Sequence, residues 1–510
     1  MTTAEATPRL DLVDHADRAF LGHPKGLAYL AFTEAWERFS FYGMQALLVL
    51  YMVNELLLPG HVENIALFEP FQSLYGLEGQ PLASAIFGTY AASVYLTPIL
   101  GGWLADRVLG KRRTVLLGAV TMAVGHFLMA FEAMFLFALL CLILGSGMFK
   151  GNIASQVGAL YKPEDLRRAD AFQIFYLGIN AGVIASPLIV GTLGEKVGWH
   201  WGFGAAGIGM LIGLAIYVAG QKYLPREHFE PASGKAATGP GAGAVPAPRM
   251  TSRDWLALAA LVILIPVMAV AIVPNNQIFN AYLVWGDRQF DLVWMGSKLP
   301  TSWLVTLDAI VSVSFLAGVA LFYRWYAKRW QEPDELTKII IGSAFSIGGM
   351  LCLFAAAATT APGEKIGLFW PVLFHVVNSI GFAHMLPVSL ALFAKLAPKA
   401  INATVIGLYY LAFFAGNLVK ITAYLTRRED LAAFRETRDR HLPDVKPAST
   451  LLFVSGLADP AWLVEIEADA VVAVRRRGQY MQEAVPVGLG AMAAVLQLDL
   501  AAVEDACRAA

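Results

Sequence analysis

The sequence predicts an all-α integral membrane protein built as two helical bundles, and three observations carry that expectation. Hydrophobic residues make up 57% of the chain and charged residues only 15%, where an ordinary soluble domain has about 25% charged residues; mean hydropathy is +0.57. The apolar residues fall in long runs, such as Leu116 to Phe131, Leu256 to Val273 and Leu368 to Phe393. A run of about 20 apolar residues crosses a hydrocarbon core of about 30 Å. The runs come in two sets, parted by PASGKAATGPGAGAVPAP, whose small residues, Gly and Pro mark a flexible linker.

Apolar runs read against polar breaks place spans near 27–54, 82–104, 112–131, 133–158, 171–193 and 202–223, then near 254–285, 301–325, 337–358, 367–394 and 402–424. The organisation expected is therefore an N-terminal segment 1–26, a six-helix bundle 27–224, a linker 225–253, a second bundle 254–424 with five spans, and a tail 425–510. That gives about eleven spans where two equal bundles would have twelve, so the last is expected to be missing. The first residues carry Asp11, Asp14 and Asp17 and no apolar stretch, which excludes a cleavable signal peptide. Cations gather in alternate loops: Arg107, Lys111, Arg112 and Arg113; Lys162, Arg167 and Arg168; Lys222, Arg226, Lys235, Arg249 and Arg253; Arg324, Lys328, Arg329 and Lys338. The first intervening loop carries Glu55, Glu63, Glu69 and Glu78 instead. The positive-inside rule then puts the N-terminus and linker in the cytoplasm of a multi-pass protein of the cell inner membrane.

A net charge of −1 argues against a nucleic-acid partner. Cys141, Cys352 and Cys507 show neither metal-ligand spacing nor a disulfide framework. No metal or cofactor is expected, and no enzyme; the partners expected are a small-molecule substrate, protons and the lipid bilayer, for a monomer.

Two stretches carry chemistry. Gly102-Trp-Leu-Ala-Asp106-Arg107-Val-Leu-Gly110-Lys111-Arg112-Arg113 joins the second and third spans. A glycine turn there presents basic groups to the membrane face and to a neighbouring helix end, and Asp106 can cap or pair with them as a conformational latch. Glu34-Ala-Trp-Glu37-Arg38-Phe-Ser-Phe-Tyr42-Gly43-Met-Gln45 lies inside the first span. At 100° per residue Glu34, Glu37, Arg38, Phe41 and Gln45 share one stripe, with Tyr42 at its edge. Ionisable groups in a span are expensive in lipid and mark pathways. A carboxylate beside an arginine can exchange its proton for a substrate's charge. Lys150, alone in an apolar span, needs an acidic partner or a wet cavity for the same reason.

The first stretch resembles the major facilitator loop signature, G-x-x-x-D-R-x-G-R-R, with one extra residue between Arg107 and Gly110. The second resembles the E-x-x-E-R-F-x-Y-Y signature of proton-coupled oligopeptide transporters, with Phe41 for the first tyrosine. The match continues in Gly145-Ser-Gly-Met-Phe-Lys150-Gly-Asn152 and in Phe172-Gln-Ile-Phe-Tyr-Leu-Gly178-Ile-Asn180-Ala-Gly182, and covers roughly residues 27–424. The resemblance implies a major facilitator fold and a symporter importing small peptides or peptide-like carboxylates by alternating access. It implies that Glu34, Glu37, Arg38 and Lys150 couple protons and pair with substrate carboxylates, and that Tyr42, Tyr90 and Asn180 line the pocket.

Departures from the family pattern are informative. Gln45 stands where the family commonly has arginine, Asn276 where it often has glutamate, and Asp308 at a familiar asparagine position. In the tenth span G-E-L-x-x-x-P becomes Gly381-Phe382-Ala-His384-Met-Leu-Pro387. That glutamate pairs with a peptide's amino terminus in the family, so Phe382 removes its counter-charge. Asp308 is expected to compensate, or His384, whose other reading is a satisfied helix-packing histidine; His126 and His375 read as structural. The loss also admits a second reading, a carrier or exporter of a non-peptide anion. From about residue 468 the tail resembles a fragment of malonyl-CoA:acyl-carrier-protein transacylases, centred on Arg477-Gly478-Gln-Tyr-Met481-Gln482. No G-x-S-x-G elbow precedes it, so an acyltransferase reading would rest on the tail alone.

Overall fold

Because few polar side chains interrupt the runs, each folds as a helix whose backbone satisfies its own hydrogen bonds. The computed structural model describes residues 17–162, 165–225, 251–361, 363–397 and 402–418, with short strands at 424–425, 451–452 and 463–465. Most of the linker and nearly all of the tail, including the transacylase-like stretch, lie outside the described residues. Eleven long helices lie where the runs place them: α1 Lys25–Tyr51, α2 Gly79–Leu104, α3 Lys111–Leu128, α4 Phe135–Ala159, α5 Arg167–Ser186, α6 Trp199–Gly220, α7 Ser252–Ala271, α8 Trp303–Tyr326, α9 Glu335–Thr359, α10 Phe369–Leu396 and α11 Asn402–Leu418. Eight stretches among the described residues are long and apolar enough to cross a membrane. Of the rest, α1 is interrupted by Glu34, Glu37 and Arg38, α3 opens on Lys111-Arg112-Arg113, and α11 has 17 residues. Large apolar side chains face outward all round, among them Ile99, Trp103, Leu177, Ile263, Leu321 and Ile340, as a lipid-facing surface requires.

The starts of helices follow local chemistry. Thr251 and Asp254 cap α7 reciprocally, the Asp254 amide donating to Thr251 Oγ1 at 3.2 Å and the Thr251 amide to Asp254 Oδ2 at 2.8 Å. The seventh span, expected as one run over 254–285, is broken. After α7 come the short helices Val273–Gln277 and Ala281–Gln289, because Pro274 has no amide hydrogen to continue the ladder. A two-stranded hairpin, β1 Val293–Trp294 with β2 Ser297–Lys298, leads into α8. The last helix ends at Leu418, where the chain divides into two compact units. In the second unit β3 Tyr424–Leu425, β5 Leu463–Glu465 and β4 Leu451–Leu452 form a sheet in the order β3-β5-β4.

No repeat between the halves is visible in the sequence, but the packing has one. In the first half α1 packs on α5, α2 on α4 and α3 on α4; in the second α7 packs on α11, α8 on α10 and α9 on α10. Each pair maps onto its counterpart by a shift of six helices. The halves meet along α2 with α11 and α5 with α8, two contacts that the same shift exchanges. Close approach rests on small residues: a Cβ added at Gly101 on α2 would strike the Gly147 carbonyl on α4.

Candidate functional site

Helical spacing alone assembles the first part of the site. Four residues apart on α1, Glu34 and Arg38 meet one turn above each other, and the Arg38 Nε–H donates to Glu34 Oε1 at 2.7 Å. Glu37 Oε2 lies 2.9 Å from the same nitrogen. The three are buried, Glu37 completely. Yet Glu34 Oε2 and both Glu37 oxygens lack a hydrogen-bond partner among the described residues. Such unmet acceptors in a dry site call for a proton, a water or a ligand. Lys150, on α4, lies within electrostatic reach of Glu34, Glu37 and Arg38. Its Nζ sits 3.8 Å from the centre of the Phe41 ring, a cation–π contact. The phenylalanine that replaces the signature tyrosine is thus the seat of the lysine.

Other expected residues surround this cluster. Tyr42 packs on Phe279 of the opposite half with centroids 5.7 Å apart. Tyr90 is 1% exposed and within reach of Glu37, and its hydroxyl, like the Oε1 of the buried Gln45, has no hydrogen-bond partner among the described residues. Asn180 donates to the Tyr176 carbonyl of its own helix at 2.8 Å. Asn276, in the break after α7, packs against Gly416 of α11, its Nδ2 without a partner among the described residues.

The C-terminal half holds a second polar group that sequence reasoning only half found. Asp308 on α8, the expected counter-charge, has its Oδ1 3.0 Å from Nδ1 of His375 on α10, the histidine read as structural, and Nε2 of His375 lies 2.8 Å from the Tyr282 hydroxyl. Alongside, Asn378 Nδ2 donates to Asn275 Oδ1 at 3.0 Å and Ser312 meets Ser379 at 2.9 Å. His375, Asn378, Ser379 and Phe382 follow the i, i+3, i+4, i+7 pattern of one helix face, and that polar stripe in an apolar helix was the signal available. His384, expected in the pocket, lies nine residues from His375 and so about half a turn round α10. Its Nδ1 is held 2.8 Å from the Ile380 carbonyl, and its ring packs between Tyr323 and Phe345. It serves helix packing.

In the loop stretch, Gly110 has φ +78°, which explains the glycine. The residue in excess of the signature is taken up by a π-turn over Ala105–Leu109, the usual way a helix absorbs one extra residue. Arg112 donates to the carbonyls of Gln221 and Leu224 beyond α6. Asp106, Arg107 and Arg113 are exposed, and Gly102 has open space beside it.

Hydrogen bonds joining the two halves gather at the end that holds the C-terminus of α1. Asp287 binds Asn54 at 3.2 Å, Thr301 at 2.9 Å and Lys298 at 2.6 Å. Glu195, past α5, accepts from the amides of Thr301 and Ser302 at 2.7 and 2.8 Å, capping α8 from the other half. Arg288 donates to Gln80 at 2.8 Å and Thr306 to the Ile184 carbonyl at 3.0 Å.

The chain is similar in sequence and fold to known transporters. The family model described as PTR2, POT family, matches residues 112–237. The chain is 32% identical to an uncharacterized transporter, YclF, of Bacillus subtilis (strain 168), over 79% of this chain and 88% of the relative. It is 30% identical to the peptide transporter YePEPT of Yersinia enterocolitica subsp. palearctica serotype O:3 (strain YE-P4), over 79% and 87%. Among solved structures, a peptide transporter POT in complex with sulfate matches with a TM-score of 0.67 and 30% identity, over 78% of this chain and 88% of that one. A POT family transporter in complex with a thioalcohol-conjugated peptide matches at 0.61 and 25%, over 78% and 90%.

Proposed function

The chain belongs to the POT family of transporters, and from that premise we propose that it is a proton-coupled symporter importing small peptides or peptide-like carboxylates by alternating access. The observation that carries the reading is the buried Glu34–Glu37–Arg38 cluster with Lys150 beside it, facing the opposite half through Tyr42. A substrate carboxylate drawn to Arg38 and Lys150 competes with Glu34 and Glu37 for those cations. The glutamate released from its cation takes a proton, so substrate and proton travel together. The polar contacts between the halves then form the outer closure. The membrane is the cell inner membrane, with the N-terminus and linker cytoplasmic, and the transporter works as a monomer. Gly102, Asp106, Arg107, Gly110, Arg112 and Arg113 serve as the cytoplasmic latch, anchored through Arg112 to the end of α6.

The second reading, a carrier or exporter of a non-peptide anion, is favoured by Phe382 in place of the glutamate. Uptake into proteoliposomes under an inward proton gradient decides. Accumulation of dipeptides, abolished by a protonophore, supports the first reading; accumulation of organic acids alone, or no response to the gradient, overturns it.

A further inference from the structure

We infer that Asp308, His375 and Tyr282 form a second proton-binding site, in the C-terminal half, at which a proton and a substrate's ammonium group compete for one carboxylate. The ammonium part rests on the peptide reading above, while the proton site stands without it.

Both ring nitrogens of the fully buried His375 are engaged, Nδ1 with Asp308 at 3.0 Å and Nε2 with Tyr282 at 2.8 Å. A histidine bridging a carboxylate and a phenol keeps both partners with either one proton or two. Carrying one, its Nδ1–H donates to Asp308 and the Tyr282 O–H donates to Nε2. Carrying two, Nε2–H donates to the Tyr282 oxygen, and the hydroxyl proton turns away. The added proton reaches the ring through Tyr282, whose hydroxyl gives its own proton to Nε2 and keeps the incoming one, while Asp308, 17% exposed where the ring has no exposure, stays a carboxylate. The group's charge goes from −1 to 0.

Around it the seam has unused hydrogen-bonding capacity: Asn275 Nδ2, Asn276 Nδ2 and Asn378 Oδ1 are buried without partners among the described residues. Asp308 is the one carboxylate deep in a spanning helix of this half among the described residues. The carboxylates of the N-terminal half already face Arg38 and Lys150. Among the described residues of the two polar groups, an ammonium group therefore finds an unneutralised anion at Asp308 and not at Glu34 or Glu37.

Few other titratable groups face the site. The Ala281–Gln289 helix adds Asp287 and Arg288, committed to Lys298 with Thr301 and to Gln80. From α9 comes Cys352, one turn from Gly349, which packs on Asn378. Tyr409 and Tyr410 come from α11, and α7 and Val273–Gln277 bring none beyond the first turn of α7. Tyr323, Arg324 and Tyr326 lie at least 15 residues along α8, about 22 Å away. Lys338, Glu335 and Lys395 lie at that same far end, and His384 is on the other side of α10.

The test uses the full-length protein in lipid nanodiscs. Calorimetry in buffers of differing ionisation enthalpy counts the protons exchanged when alanyl-alanine or its N-acetyl derivative binds. The free-amino ligand is expected to release up to one more proton than the acetylated one. That difference should vanish in His375→Asn and Asp308→Asn. Equal counts in the wild type, or a difference that survives both substitutions, overturns the inference. A ligand-free infrared pH titration separates the two readings: a titrating carboxylate–imidazole signal should be lost in both variants and shifted in its midpoint by Tyr282→Phe. If neither dipeptide binds, the peptide reading falls and this signal alone decides the site. If the two variants do not fold, the Tyr282→Phe midpoint decides it, and an unshifted midpoint overturns it.

Discussion

Glu37 touches a cation yet makes no hydrogen bond among the described residues, so its charge matters more than its shape. Glu37→Gln keeps the volume and removes the titration. It should abolish proton-driven accumulation while leaving counterflow of substrate, which needs no net proton movement, within about threefold of wild type. Equal loss of both in vesicles would remove Glu37 from coupling. A surface residue gives a prediction of different character. His61 Nδ1 lies 2.5 Å from Glu132 Oε1, and that hydrogen bond raises the imidazole above its ordinary value of 6.5, with burial opposing. The folded protein thus holds this proton more tightly than the unfolded chain. The stabilisation is complete below pH 6.5 and fades as pH rises through the elevated value. The melting temperature of Glu132→Gln should fall below wild type at about pH 6 and converge on it by about pH 9; a gap constant with pH would contradict this. The α1 cluster was legible because its members sit three and four residues apart on one helix. His375 was not, because Asp308 and Tyr282 reach it from two other segments, and no spacing rule connects them.

At the scale of elements, Glu195 holds the start of α8 with two amides at 2.7 and 2.8 Å, where the helix dipole favours a negative charge. Glu195→Gln loses that charge and one acceptor. A charge-assisted pair of this kind contributes about 1.5–3 kcal/mol, so the closed outer end should become roughly tenfold to a hundredfold less favoured. Distances between spin labels on the outer ends of α5 and α8 would show it; an unchanged distribution would mean the cap does not hold the gate. The sequence placed the starts of the long helices to within a few residues, but not the ends of the fifth, seventh and eleventh, which stop at Ser186, Ala271 and Leu418. It did not show how the seventh span breaks, although Pro274 marks the place. Nor did one extra residue before Gly110 announce a π-turn, because the insertion is silent until the flanking turns are fixed by packing.

For the helical unit as a whole, orientation follows from which loops carry the cations. A cysteine introduced in the linker, such as Ala237→Cys, should react with a membrane-impermeant maleimide in inverted vesicles and not in intact cells. Labelling in intact cells would reverse the topology. The pseudo-repeat of the halves was invisible residue by residue, because a lipid-facing helix needs only apolar side chains and any of several will serve. It emerges in which helices touch. By that shift of six, α6 beside α1 should have a counterpart beside α7, and none is found among the described residues.

The cap on α8 also bears on how this gate drifts over evolutionary time. Its donors are the backbone amides of Thr301 and Ser302, which every amino acid but proline supplies. Substitution at those positions leaves the contact standing, so selection can act on it only through Glu195. An alignment of related sequences would therefore show position 195 held acidic with no co-varying partner. Contacts inferred from correlated substitutions would omit this bond between the two halves.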